Sequence, residues 1–555
     1  MARDARSQDT GESTTDGSRD KGVSRRRYLK TSAGVAAVPT MAALSSVGAA
    51  NPVNEENQRS GDDDWLPTAP GGYRPTGTHF DDVNHHVEGY PSQPSVVPGE
   101  SLDFHVSTDP AATYRIDVYR LGWYDGAGGR HVTSLPEKQG ENRPIPDWDS
   151  ETGLIECDWP VTDTLDVPKQ WTSGAYLAQF VATSGEYEGE STGYLFAVRE
   201  RDDRGRSSKV LAQLPLATEQ AYNGWGGKSL YSHTSAKSPE KEETGGTAAN
   251  KVSYNRPIGG APGPHMRYAL HAVRFLEREG YDVSYATDVD VHRNPEMLQD
   301  RELALSLGHD EYWSGTQRDA FDDARDSGTN IAFLAANTAL WQVRFEDDER
   351  TLVCYKETVE DDPQYGEQSE TDSFRNLPDP RPECELLGVM GTGAGLNKGP
   401  NLTVVEDALD HPWFDDTGFA PGDEVVGVLA HEWDYTREDC DVPGELTKFF
   451  HYEGGTSDYD WIISDTDADS VAYQAPSGAR VFSCGSLGFT WALDPDPSWD
   501  QGWPIRPIAE GAAGPAKPEV MEPDRRLQQF TRNVLDDLQK PIPPADGDDA
   551  SDNES

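Results

Sequence analysis

The strongest constraint in this sequence is a change of hydrophobic period near residue 200. From about Val96 to Arg199, apolar and polar residues alternate in short segments: Ser101–Val106, Tyr114–Tyr119, Tyr176–Val181 and Gly193–Val198. A period of two places successive side chains on opposite faces of a strand. Pro98-Gly99-Glu100, ahead of the first segment, is a turn signal. Half-buried antiparallel strands at this spacing predict an immunoglobulin-like sandwich of about seven strands over residues 91–200.

From Ser208 the pattern becomes α/β. Val210–Leu214, Val283–Tyr285, Leu303–Leu307 and Asn330–Leu334 are short apolar runs that predict buried strands. Met266–Gly280 predicts a helix, with Pro264 near its start, Gly280 at its end, and Ala269, Ala272, Val273 and Leu276 on its apolar face. Gln317–Ser327 and Arg525–Leu538 predict two more helices, and Val425–Leu429 and Ala479–Ser483 two more strands. Strands alternating with helices imply a mostly parallel sheet covered on both faces. The expected class is therefore α/β, flavodoxin-like or glutamine-amidotransferase-like, preceded by the all-β sandwich. Residues 51–90, rich in Asn, Asp, Gly and Pro, are expected to be a linker, and 541–555 a disordered acidic tail.

The chain has 555 residues and a formal net charge of −50. Residues 1–50 carry eight basic and five acidic side chains, or +3, so the remainder carries −50 − 3 = −53. Such a surface repels nucleic acid and anionic lipid, and strong brine would screen its self-repulsion. Fourteen Trp, 22 Tyr and 16 Phe supply a core and argue against disorder. The five cysteines form no Cys-x-x-Cys pair, which disfavours a thiolate zinc site. Cys354 and Cys384 flank a polar insertion at 355–385 and are candidates to staple it; buried free thiols are the alternative.

Ser24-Arg25-Arg26-Arg27-Tyr28-Leu29-Lys30, followed by the apolar stretch Ala33–Val47, has the pattern of a twin-arginine export signal over residues 1–50. The stretch is interrupted by Pro39 and is too short for a stable membrane span. The expectation is a partner in the twin-arginine translocase and an extracellular or cell-surface location. That route carries folded proteins, which suits one that takes up a metal before export.

Ligands in open parallel sheets sit beyond the carboxyl ends of strands. Three polar clusters fall there: His309-Asp310-Glu311-Tyr312, Asn337, and His431-Glu432-Trp433-Asp434. There is no Gly-x-Ser-x-Gly elbow and no P-loop. The remaining Tyr, Glu, His and Asp donors suit a hard or borderline metal. His309 and Glu311 are candidate catalytic groups, with His309 the general base. Asn337 is a candidate for holding an oxyanion. Tyr222, Asn223 and Trp225 form an aromatic and polar loop with the composition of an amide or carbohydrate pocket, or of packing between domains.

Ala221–Tyr231, Phe275–Asp288, Gly308–Ser314 and Cys484–Trp491, in this order, resemble the C-terminal domain of the N,N-dimethylformamidase large (beta) subunit family over about residues 208–540. The resemblance implies an amidohydrolase with mononuclear iron held by two Tyr and one Glu. Tyr312 and Glu432 match two of these ligands. The remaining tyrosine matches His271, with Tyr268 one turn earlier on nearly the same face; zinc is the other metal such a set suits. Two expectations follow: an exported metal-dependent hydrolase of amide-like C–N bonds acting on a small molecule, and a non-catalytic glycan-binding or cell-surface-binding protein. A third is an amidotransferase-like fold without its nucleophile, because Asp310-Glu311 occupies the turn where a cysteine would stand.

Overall fold

A computed structural model describes residues 51–67, 86–201, 208–232, 235, 247–259, 266–299, 301–395, 400–429, 431–455, 462–494 and 523–540. The export signal at 1–50, the tail at 541–555 and Pro264 lie outside the described residues.

The period-two region forms two sheets. Glu88–Pro91, Ser101–Ser107 and Asp163–Asp166 make one, antiparallel throughout. Ser95–Val96, Ser191–Val198, Gly174–Ala182, Thr113–Leu121 and Gly129–Ser134 make the other, in that order, with Lys138–Gln139 paired to Thr113–Leu121. Leu102, Phe104, Ile116, Val118, Tyr176, Phe180 and Phe196 share the core between them. The Ser101–Ser107 strand alternates buried and more exposed positions as its sequence predicts. Gly174–Ala182 and Ser191–Val198 are instead buried almost throughout. Their alternate residues Ala175, Leu177, Leu195 and Ala197, with Tyr119 and Leu121 of the next strand, pack into the core of the second region. The sheet is therefore shared between two cores, one on each face.

The second region is built on a nine-stranded sheet. Val283–Thr287, Val210–Leu214, Leu303–His309, Asn330–Ala336 and Arg480–Ser483 are parallel neighbours in that order. Ala468–Gln474, Thr447–Tyr452, Leu402–Val404 and Glu424–Val425 extend it, each antiparallel to its neighbour. The sheet is thus mixed, not mostly parallel. Helices Met266–Glu279 and Gly315–Asp326 follow the parallel strands. In the antiparallel half only Ala468–Gln474 and Arg480–Ser483 are joined by a short turn; the other connections are longer, and two short 3-10 helices lie between Leu402–Val404 and Glu424–Val425. Of the predicted Val425–Leu429 run only Val425 is paired, in the two-residue strand Glu424–Val425.

Two smaller sheets continue from strand ends. Lys251–Ser253, Thr351–Val353, Trp341–Glu346 and Tyr312–Ser314 form one; Glu432–Tyr435, Met390–Gly395 and Ile462–Ser464 form the other. Within the stretch 51–90, Pro52–Asn57 is a helix capped by Asn51. It bonds to the Met266–Glu279 helix through Asn57 Nδ2 and Glu277 Oε2 at 2.7 Å, and to Trp123 N through Asn57 Oδ1 at 2.9 Å. Below it, the fully buried Arg120 of the first region forms a bidentate pair with the fully buried Glu277 of the second, at 2.8 and 2.9 Å.

Cys384 is bonded to Cys440, not to Cys354. Cys354 lies buried at the end of the Thr351–Val353 strand, where its N–H donates to the Asn250 carbonyl. Cys384 opens a short helix whose Cα is 6.3 Å from that of Cys440, within bridging range.

Candidate functional site

The Leu303–His309 strand is buried along its whole length. A Cβ on Gly308 would lie 2.5 Å from the Ala269 nitrogen, and φ there is +72°. Only glycine allows the Met266–Glu279 helix to pack this closely against the strand end. His309 follows, fully buried, with Nε2 2.7 Å from Glu432 Oε2 and 3.4 Å from Glu311 Oε2.

The carboxylate of Glu311 is held by donors from three segments. The hydroxyls of Tyr222 and Tyr231 reach its Oε2 at 2.9 and 3.1 Å, and the Trp341 indole N–H reaches its Oε1 at 3.0 Å. Its own N–H donates to Thr218 Oγ1 at 2.9 Å. Tyr312 donates its hydroxyl proton to Tyr231 Oη at 2.7 Å and accepts from Lys356 Nζ at 2.8 Å. The Lys356 ammonium lies 3.3 Å from the Tyr231 ring centroid and 4.9 Å from that of Trp341.

The Glu432 oxygen that meets His309 also accepts from Asn337. Asn337, with φ +49°, donates its side-chain amide to Glu432 Oε2 at 2.9 Å and its N–H to Asp434 Oδ1 at 2.8 Å. His431, next to Glu432, has φ +64°. Two non-glycine residues in the left-handed region at one site mark backbone held by its surroundings.

The electrostatics follow from burial and mutual contact. Burial opposes charge on His309, but the adjacent carboxylates of Glu432 and Glu311 outweigh it and raise its pKa above 6.5. Burial also works against ionised Glu432, yet His309, His431 and the Asn337 amide bring it down to about 2. Glu311 is raised, first by burial and then by Glu432, with His309 acting in the opposite direction. Burial, reinforced by Glu311, holds the phenols of Tyr222, Tyr231 and Tyr312 well above the usual tyrosine range. Burial lowers Lys356. Asp434 is pushed up to about 7 by burial and by nearby carboxylates.

The residues singled out in the sequence separate into two groups. His309, Glu311, Tyr312, Asn337, Glu432 and Tyr222 meet in one cluster. Asn337 there touches a carboxylate. Asn223 caps the Leu216–Tyr222 helix and fixes a turn, accepting from Trp225 N and Gly259 N. Trp225 is fully buried in the core of the first region, packed edge-on to Trp159, with its indole bonded to Glu88 at 2.7 Å. It therefore packs at the junction of the two regions. His271 turns Nδ1 to the Asp494 carbonyl at 2.7 Å. Tyr268 stacks on Trp491 at 5.2 Å and lies 6.2 Å from the His431 ring.

Trp341 and Lys356 escaped the sequence reading. Tyr231 did so in part, since it closes the Ala221–Tyr231 motif. Lys356 directly follows the buried Cys354-Tyr355 pair, a lysine after a buried run being the one local signal available.

Tyr312, Glu432 and His271, which the resemblance would give to a metal, are each engaged by another group of the protein. Tyr312 faces the Lys356 ammonium, Glu432 faces His309, and His271 faces a backbone carbonyl. Both oxygen ligands thus already meet a cation of the protein, and the Trp341 N–H, a donor only, points at Glu311. A metal cation does not fit this arrangement. Among the described residues, the only three His, Cys, Asp or Glu side chains with ligand atoms within 4.8 Å of one another are Asp62, Asp63 and Asp64, a largely exposed run away from this cluster in sequence.

Compared with known families, residues 115–502 match the family described as N,N-dimethylformamidase beta subunit-like, C-terminal. No curated protein matches the chain.

Proposed function

The chain belongs to the N,N-dimethylformamidase beta subunit-like C-terminal family, and from that premise we propose that the His309 cluster hydrolyses an amide-like C–N bond of a small molecule. The observation that carries this reading is His309 Nε2 set between the half-buried carboxylate of Glu432, at 2.7 Å, and the buried carboxylate of Glu311, at 3.4 Å. Glu311 is the base: burial raises its pKa, so it takes a proton more readily than an exposed carboxylate would. Water adds its oxygen to the acyl carbon as Glu311 removes a proton. The C–N electron pair leaves with nitrogen, which takes a proton from the His309 imidazolium. The proton on Glu311 then passes to His309, and a carboxylic acid and an amine depart. Glu432 keeps His309 charged and oriented, and Asn337 keeps Glu432 in place.

A panel of simple primary, secondary and tertiary carboxamides tests this. Glu311→Gln and His309→Asn are expected to lower kcat/KM by about 10²–10⁴-fold. Unchanged rates in both variants, or no hydrolysis by the native chain, would overturn it. The acid limb of the rate profile belongs to Glu311 and the alkaline limb to His309, so a bell-shaped dependence is expected.

We also propose that the protein works outside the cytoplasm, delivered by the twin-arginine translocase; the support is the Ser24–Lys30 pattern. Replacing Arg25 and Arg26 with Lys preserves the charge and is expected to retain the protein inside cells. Equal export of that variant would refute the assignment. Among the described residues, no helix is long and apolar enough to cross a membrane.

A further inference from the structure

We infer that Lys356 is the resident cation of this site: its ammonium, steadied by Tyr312 and stacked on Tyr231, holds the acyl oxygen of the substrate in a centre that takes no metal. This rests on the hydrolytic reading above.

The geometry carries it in three steps. The phenol that the family resemblance would give to a metal accepts a hydrogen bond from Lys356 Nζ at 2.8 Å. The ammonium lies over the Tyr231 ring at 3.3 Å and near the rings of Trp341 and Tyr312 at 4.9 and 5.5 Å. Aromatic faces attract a cation and leave its N–H groups directional. An ammonium has three donors and no acceptor. Among the described residues, Tyr312 is its one hydrogen-bond partner, so two N–H groups are left for a ligand. Lys356 is also only half-buried, whereas His309, Glu311 and Tyr312 beside it are buried. Tyr222, Tyr231, Trp341 and Glu432 are half-buried as well, so this side of the cluster lies nearest to solvent.

Charge balance agrees. Glu311 and Glu432 supply two negative charges, and Lys356 and His309 two positive ones. A divalent or trivalent ion placed on Tyr312 and Glu432 would sit against both protein cations. As negative charge grows on the acyl oxygen during water attack, an ammonium already fixed in place stabilises it without rearrangement. No proton need leave Lys356.

The test uses the full chain and three readouts. Protein prepared with iron and zinc supplied, then passed through chelator-free gel filtration, is expected to keep less than about 0.1 metal ion per chain. Lys356→Ala is expected to lower kcat/KM about 100-fold. Methylammonium, but not tetramethylammonium, is expected to raise the melting temperature of that variant by filling the vacated place. About one retained iron or zinc per chain in the native protein, lost in Tyr312→Phe, would overturn the inference. So would a Lys356→Ala variant with native activity. If no amide is hydrolysed while the chain stays metal-free and methylammonium still stabilises Lys356→Ala, the hydrolytic reading falls and the cation assignment stands.

Discussion

Asp434 accepts the Asn337 N–H with one oxygen, while its other oxygen is buried with no hydrogen-bond partner among the described residues. Its pKa rises to about 7, so the folded state holds a proton there that the unfolded chain has already released near pH 4. The sign is fixed by this order: stability is greatest below the unfolded value and falls as pH climbs to about 7. Asp434→Asn keeps the oxygen that Asn337 needs and removes the titration. Thermal melts between pH 5 and 7 should therefore fall less steeply for Asp434→Asn than for the native chain; parallel slopes would show that Asp434 is not the group responsible. Glu432 has the opposite sign, because its pKa is depressed to about 2 and its contribution fades only in acid. At this scale much of the site was legible. His309, Glu311, Tyr312 and Asn337 stand at or just past the ends of buried strands, where a sheet puts its chemistry, whereas Glu432 opens the Glu432–Tyr435 strand. Lys356 and Trp341 reach Glu311 and Tyr312 through the pairing of Tyr312–Ser314 with Trp341–Glu346 and of that strand with Thr351–Val353. Such pairings join distant segments, and no local pattern encodes them.

The elements that carry the site are braced from outside it. Glu432–Tyr435 pairs with Met390–Gly395, and the Cys384–Cys440 bridge closes the sequence around both. The bridge spans 56 residues, for which loop-closure entropy corresponds to about 4 kcal/mol. Cys384→Ser is expected to lower unfolding free energy by about 2–4 kcal/mol in denaturant titrations; a loss under about 0.5 kcal/mol would mean that the bridge does not constrain the unfolded chain. Helices were the most readable elements. Arg525–Leu538 matches its predicted bounds, and Met266–Glu279 stops at Gly280, whose φ is +81°. The antiparallel half of the large sheet was harder to read. Two of its strands, Leu402–Val404 and Glu424–Val425, are very short, and Val428 and Leu429, though apolar and buried, lie outside any strand. Burial alone produces the same apolar run as a strand does.

At the scale of the whole molecule, the first region is bound to the second through the far face of its larger sheet and through Arg120 and Glu277. Neither ion of that pair reaches solvent, so removing one strands the other. Glu277→Gln is expected to cost about 3–5 kcal/mol while leaving a single unfolding transition. Two separate transitions in the native chain would contradict the shared core. The change of period near residue 200 was plain in the sequence, but the second buried face of Gly174–Ala182 and Ser191–Val198 was not. A strand lying between two cores shows continuous hydrophobicity only if both sets of alternate positions are large, and here Ala175 and Ala197 are small. The same junction bears on dissection of the protein by cutting near residue 205. Each piece would carry an apolar face shaped for the other and one orphaned ion of opposite sign. Co-expressed halves should accordingly reassemble without a linker, and neither is a promising candidate for life as a solitary module.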